Sequence, residues 1–168
     1  SKTRQELIKD FIEIRQASET ICKPLEKEDY AVQPSPEVSP PKWHLGHTTW
    51  FFEEMILVKH QANYKRFNKQ FSELFNSYYK AAGKHWIQSD RGFLSRPTVS
   101  EIFEYRKTID KRLVNYLESN EHNSQVNFLL ETGLHHEQQH QELLYMDIKY
   151  ILAMNPIPTR YSSNSHPK

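Results

Sequence analysis

Residues 134–151 read LHHEQQHQELLYMDIKYI, and the fold follows from how this stretch is placed. His136 and His140 stand four apart. On a helix that spacing sets two side chains on one face, one turn above the other. Continued both ways, the face runs Leu129, Gly133, His136, His140, Leu143, Asp147 and Ile151. Its apolar members predict that it turns toward the core. A buried imidazole left without a partner costs about 1–3 kcal/mol. Two on successive turns of one stripe are most simply accommodated by a shared metal ion. The alternative is a pair of core histidines bonded to carbonyls. His135 lies about 100° round the helix from His136 and is expected at the surface or behind the ligands.

Working outward, the helix that carries the pair is expected to start at Ser124 and end near Met154, where Asn155-Pro156-Ile157-Pro158 stops it. Before it, Thr98 and Glu101 form a capping box, and Ile102, Tyr105, Ile109, Leu113 and Tyr116 recur at core spacing to about Ser119. Pro41 opens another helix, about Lys42 to His60. Its apolar face reads Trp43, His47, Trp50, Phe51, Glu54 and Val58, so a third histidine is expected inside. His44 competes with His47, but His47 has aromatics on its own stripe and the next turn, which places it deeper. The first helix runs from Thr3, capped with Glu6, through Leu7, Phe11 and Ile14 to Cys22, and Pro24 ends it.

Four long helices in this order predict an all-α four-helix bundle with a long first crossover, Leu25 to Pro41, rich in proline and expected to be extended. An insert lies between the second and third long helices. Its aromatics, Tyr64 to Tyr79, predict a short helix around Lys69 to Lys80 that serves the core or a homodimer contact. Gly83 to Pro97, with His85, Arg91 and Arg96, has no period and reads as a long functional loop or a solvated linker. Residues 1–155 are expected to form the bundle and 156–168 a linker or tail.

The balance of charges argues against several partners. Lys plus Arg number 22 and Asp plus Glu 21, a net charge of +1, which does not favour a broad nucleic-acid or anionic-membrane footprint. No apolar run approaches the roughly 20 residues of a membrane span. A single cysteine, Cys22, forms no internal disulfide and fits a reducing, cytoplasmic setting. His136-Glu137-Gln138-Gln139-His140 is also a literal HExxH, the zinc-peptidase motif with glutamate as general base. No strand-rich segment precedes it to hold a peptide. Three neutral imidazoles suit Fe(II), Zn(II), Ni(II) or Co(II) and leave positions open for water or substrate.

Three blocks carry a family resemblance: SPPKWHLGHTTWFFE (39–53), SDRGFLSRPTVSEIFEYR (89–106) and GLHHEQQHQELLYMDIKYILAMNP (133–156). In this order they closely resemble the N-terminal DinB-type domain of the EgtB-type sulfoxide synthases, the non-haem iron enzymes of ergothioneine biosynthesis. The resemblance implies a DinB four-helix bundle and an Fe(II) centre held by His47, His136 and His140; Zn(II) or Ni(II) can stand in its place in purified protein. Glu142 completes the HxxxHxE pattern of that family and is expected to support a ligand. The resemblance further implies that O2 and iron couple a thiol sulfur to the imidazole of a trimethylated histidine. Arg91 and Arg96 would then hold the thiol substrate's carboxylates, and Gln139 would contact the histidine-derived substrate.

Those synthases continue into a formylglycine-generating-enzyme-like domain that supplies much of the pocket and a catalytic tyrosine. These 168 residues end about where that linker begins. They are therefore expected to be incomplete as an enzyme alone, either a separated domain or a standalone relative. Two readings stand beside this one. The first is a standalone divalent-metal-dependent thiol transferase or hydrolase of the DinB kind, using the metal to lower a thiol pKa. The other is a non-catalytic metal-binding module.

Overall fold

The computed structural model describes residues 2–77 and 86–161. The helices are α1 (Arg4–Cys22), α2 (Pro41–Phe52), α3 (Val58–His60), α4 (Phe71–Leu74), α5 (Val99–Ser119) and α6 (Ser124–Met154). No strand occurs among the described residues. Both predicted capping boxes form: Thr3 with Glu6, and Thr98 with Glu101, each closing a helix N-terminus reciprocally. Asn123 caps α6 by accepting from the N–H groups of Gln125 and Val126.

α2 continues through a π-helical stretch, Glu53–Leu57, into α3, so the three make one rod. With α1, α5 and α6 this rod completes a four-helix bundle. α6 lies against α1 and α2, while α5 lies against α2 and, less extensively, α1. Every residue from 41 to 57 is buried. A helix enclosed on all sides belongs at the centre of a bundle, and Trp50, Phe52 and Ile56 there meet Phe11 of α1, Ile102, Ile109 and Leu113 of α5, and Leu130 of α6.

The π-helical stretch anchors the insert. The Glu53 carboxylate accepts from Tyr64 Oη at 2.5 Å, the Phe67 N–H at 3.0 Å and Tyr105 Oη at 3.3 Å. Glu54, expected inside, is buried and pairs with Arg66 at 2.7 Å. The insert's aromatics Phe71 and Phe75 are buried, and Tyr64 and Phe67 pack against the core. These four serve the bundle interior. Tyr78, Tyr79, Gly83 and His85 lie outside the described residues, as does the end of the predicted helix to Lys80.

The first crossover is less extended than its prolines predict. Lys27–Ala31 makes a 3₁₀ turn in which the Glu26 N–H donates to Asp29 at 2.8 Å. Tyr30 is buried there, and its hydroxyl donates to the Cys22 carbonyl at 3.1 Å. Cys22 itself is fully buried, and burial pushes its thiol pKa up to about 12.

The buried face of α6 is offset from the predicted stripe. Val126, Leu130, Gly133, Leu134, Glu137, Leu144, Ile148 and Ile151 are buried, whereas Leu143 is exposed and His136 and His140 are half-buried. The core-facing stripe is centred about one residue on from the histidine face. The histidines therefore stand on the flank of α6, facing a cavity beside the core.

Candidate metal centre

His47 of α2 meets His136 and His140 of α6 where the two helices pack. One nitrogen from each of the three rings lies within 4.8 Å of the others. His47 is the deepest, its ring stacked between Trp43 (centroids 4.5 Å apart, planes 12°) and Trp50 (5.7 Å, 12°). Trp43 and Trp50 are fixed in turn by N–H donation to the carbonyls of Leu74 and Ser72.

Hydrogen bonds orient the rings. His47 Nδ1 lies 2.6 Å from the Phe75 carbonyl oxygen, which can only accept. Nδ1 therefore carries the proton, and in the neutral ring Nε2 is bare. His140 Nδ1 lies 2.9 Å from His44 Nδ1, and His44 Nε2 lies 2.7 Å from Asp147 Oδ2. The proton arrangement that leaves His140 free to ligate has His140 Nδ1–H donating to His44, and His44 Nε2–H donating to Asp147. Asp147 also accepts from the Ser39 N–H at 3.1 Å. An outer N–H held by a carbonyl, or by a histidine backed by a carboxylate, is the arrangement that fixes a ligand's tautomer.

The donors fit a divalent cation. Burial drives the His47 pKa well below its ordinary value, and holds His136 at about 4 and His140 at about 2. All three are neutral at physiological pH. His47 Nε2 and His136 Nε2 lie 3.0 Å apart. Two imidazoles about 2.1 Å from one ion stand roughly 3–3.4 Å apart. With His47 Nε2 bare, a proton on His136 Nε2 would satisfy the pair, and a divalent cation held by both nitrogens would take its place. Three histidines could thus hold a metal ion.

The rings open on a cavity of about 480 Å³. Arg91, Gln139 and Leu143 contribute to its wall. Arg91 is buried, with its guanidinium carbon 3.2 Å from the centroid of the Trp43 ring and Nη1 donating to Ser39 Oγ at 2.7 Å. Arg96 is exposed, donates to the adjacent Ser95 carbonyl at 3.1 Å and does not reach the cavity wall. Glu142 and His135 are exposed on the outer side of α6 and away from the cavity.

Glu137, the would-be peptidase base, points elsewhere. Its carboxylate is fully buried and accepts from Arg15 Nη1 at 3.1 Å, Arg106 Nη2 at 3.1 Å and Ser18 Oγ at 2.6 Å. Burial alone would raise its pKa; Arg15 and Arg106 override that and hold it at about 2. Arg15 also bonds Asp110 and Thr49, and Arg106 bonds the Leu45 and Arg15 carbonyls. This network ties together all four rods. It excludes the zinc-peptidase reading of HExxH, because the carboxylate has no path to a water on the metal.

The sequence reading did not find Arg15, Arg106, Trp43's stacking role or the His44–Asp147 support. Arg15 carried a signal: it falls on the Leu7–Phe11–Ser18 stripe of α1, where a charge demands a buried partner. Among known proteins, a profile of the DinB superfamily (DinB_2) matches residues 10–144, a span that includes all three histidines. No curated protein matches the chain significantly.

Proposed function

Because the chain belongs to the DinB superfamily, we propose that it is the metal-holding domain of a non-haem iron oxidoreductase that acts on a carboxylate-bearing thiol. The observation that carries the reading is the cluster of three neutral imidazoles, two with oriented outer nitrogens, at the floor of a cavity walled by a buried arginine. Three protein ligands leave positions for substrate. Bound Fe(II) would supply redox chemistry with O2 and favour the thiolate form of the substrate.

The chain's own residues do the rest. Trp43 and Trp50 exclude water from His47. His44 and Asp147 keep His140 in the ligating tautomer. Arg91, immobilised on Trp43 and by Ser39, presents a fixed charge and bidentate geometry for a carboxylate. Gln139, exposed at the cavity mouth, offers an amide to a histidine-derived co-substrate. These features, with the three sequence blocks, support a reaction of the sulfoxide-synthase kind. A formylglycine-generating-enzyme-like domain would then supply the remaining catalytic groups. No tyrosine lines the cavity among the described residues, and that observation favours a second reading: a divalent-metal thiol transferase that needs none.

The test is metal content after anaerobic purification, with Fe(II) and Zn(II) added back in turn. The expected result is near one iron per chain, lost in H47A, H136A and H140A while helical circular dichroism persists. H44A should still bind iron, but about 10–100-fold more weakly. O2 uptake with a thiol supports the oxidoreductase; thiol transfer on zinc without O2 uptake replaces it with the second reading. No metal under either condition overturns both.

A further inference from the structure

The outer face of α6 carries an apolar stripe that nothing among the described residues covers. Leu143 is 38% exposed, Met146 65% and Tyr150 43%. Glu142 and Lys149 flank it, both exposed, and neither forms an ion pair with a described residue. The stripe is independent of the buried core stripe, and it begins at the cavity mouth, where Leu143 and Gln139 contribute to the wall. An exposed apolar band rimmed by charge marks a protein interface.

We propose that this face is where a second copy of the chain docks, α6 against α6, antiparallel about a two-fold axis through Met146. The argument is self-complementarity. At about 100° per residue, with Met146 at the centre, Leu143 and Tyr150 fall about 60° and 40° to one side. Glu142 and Lys149 fall about 40° and 60° to the other. A two-fold axis that reverses helix direction maps each residue onto the same side at the opposite height. Leu143 then meets the partner's Tyr150, and Glu142 meets the partner's Lys149. Both pairs occur twice, with Met146 packed on its own copy between them. Any helix pairs these positions with an antiparallel copy of itself; here they carry opposite charges, Glu142 and Lys149, and apolar side chains, Leu143 and Tyr150, so the second copy is matched in charge as well as shape.

The arrangement has a consequence for the cavity. Gln139 and Ala153 are equally far from Met146, seven residues to either side. The partner's Ala153 therefore lies over Gln139, and the partner helix passes across the cavity mouth. Each copy narrows the entrance to the other's site.

Sedimentation equilibrium on the full chain, from about 1 to 200 μM, tests the proposal. The wild type is expected to reach a mass of two chains. E142K and K149E should each set like charges opposite one another and weaken association at least tenfold. The double variant E142K/K149E should restore it, since the exchange recreates both pairs. Both changes lie on an exposed face, so circular dichroism is expected to be unchanged in all three variants. A wild type that stays at one chain throughout overturns the proposal and leaves the stripe to a different domain or partner. A dimer that ignores both single variants, or is not restored by the double variant, places the contact elsewhere and overturns it too. Metal content enters none of these outcomes, so they stand apart from the reading of the histidine site.

Discussion

Glu137 stands between the two candidate ligands of α6 but turns its carboxylate into the buried network of Arg15 and Arg106. Replacing it by glutamine removes the one fully buried carboxylate shared by Arg15 and Arg106 and leaves each guanidinium with only its partly exposed partner, Asp110 or Glu19. Breaking a buried ion pair from one side costs about 3–5 kcal/mol. E137Q is expected to lower the urea midpoint accordingly, in the metal-free protein as well as the loaded one. An unchanged midpoint would contradict the network account. At this scale the sequence pointed to the three histidines that the fold brings together. His136 and His140 were separable from His135 by helical phase, and His47 from its competitor His44 by the aromatics on its own stripe and the next turn. What it did not expose were partners from irregular segments. The Phe75 carbonyl that fixes His47 is a backbone atom in a loop, and no residue type announces it. The His44–Asp147 support depends on the registration of α2 against α6, which periodicity within one helix does not contain.

Between α2 and α6, Gly133 marks a close approach. A Cβ placed there would lie 2.4 Å from Phe52 Cε1 and 3.0 Å from Phe51 Cε1. Both rings belong to α2, so the glycine is what lets α6 bring His136 and His140 up to His47. G133A should force the helices apart or the rings off their rotamers, at about 1–3 kcal/mol. It should also weaken metal binding, since His136 would move with the helix. Thermal unfolding and a metal titration on the variant measure both; a full-affinity site in G133A would show that the approach is not set here. Helix ends were legible because capping is local chemistry: Thr3 and Thr98 each cap where the sequence placed them, and α6 starts at Ser124 as expected. The π-helical stretch was not. Glu53 is drawn in by Tyr64, the Phe67 N–H and Tyr105, residues 11 to 52 positions away, and such a distortion has no mark in the segment that bears it. The face of α6 was misplaced by about one residue for a related reason. Histidine beside a cavity and leucine beside a core follow the same period.

For the molecule as a whole, acid should be more damaging without metal than with it. The histidine pKa values lie below 6.5 in the folded protein, about 4 for His136 and about 2 for His140. The unfolded chain therefore takes up protons first as pH falls through 6.5, and stability drops. Each imidazole contributes a loss of order 1 kcal/mol between pH 6.5 and 5.5. The loss continues until the folded values are reached. Glu137, held at about 2, adds a further loss below pH 4.5 in the same direction. Denaturant midpoints of metal-free protein at pH 7.5, 6.5 and 5.5 should decline in step, and saturating divalent metal should raise all three while the site remains loaded. A flat profile without metal would mean the imidazoles are already solvated. The bundle's class and its four rods were readable from period and caps. Which rods touch was not, because similar apolar stripes pack acceptably in more than one order.

Cys22 gives this chain a built-in clock. It is the sole thiol, it is sealed under Tyr30 at the end of α1, and burial keeps it protonated. A maleimide or disulfide reagent can reach it only when the end of α1 or the crossover turn over it opens. The labelling rate of the unaltered protein, divided by that of the denatured chain, is then the fraction of time this end of the bundle stands open. No tag, dye or substitution is needed to follow how each bound ligand lengthens the closed interval.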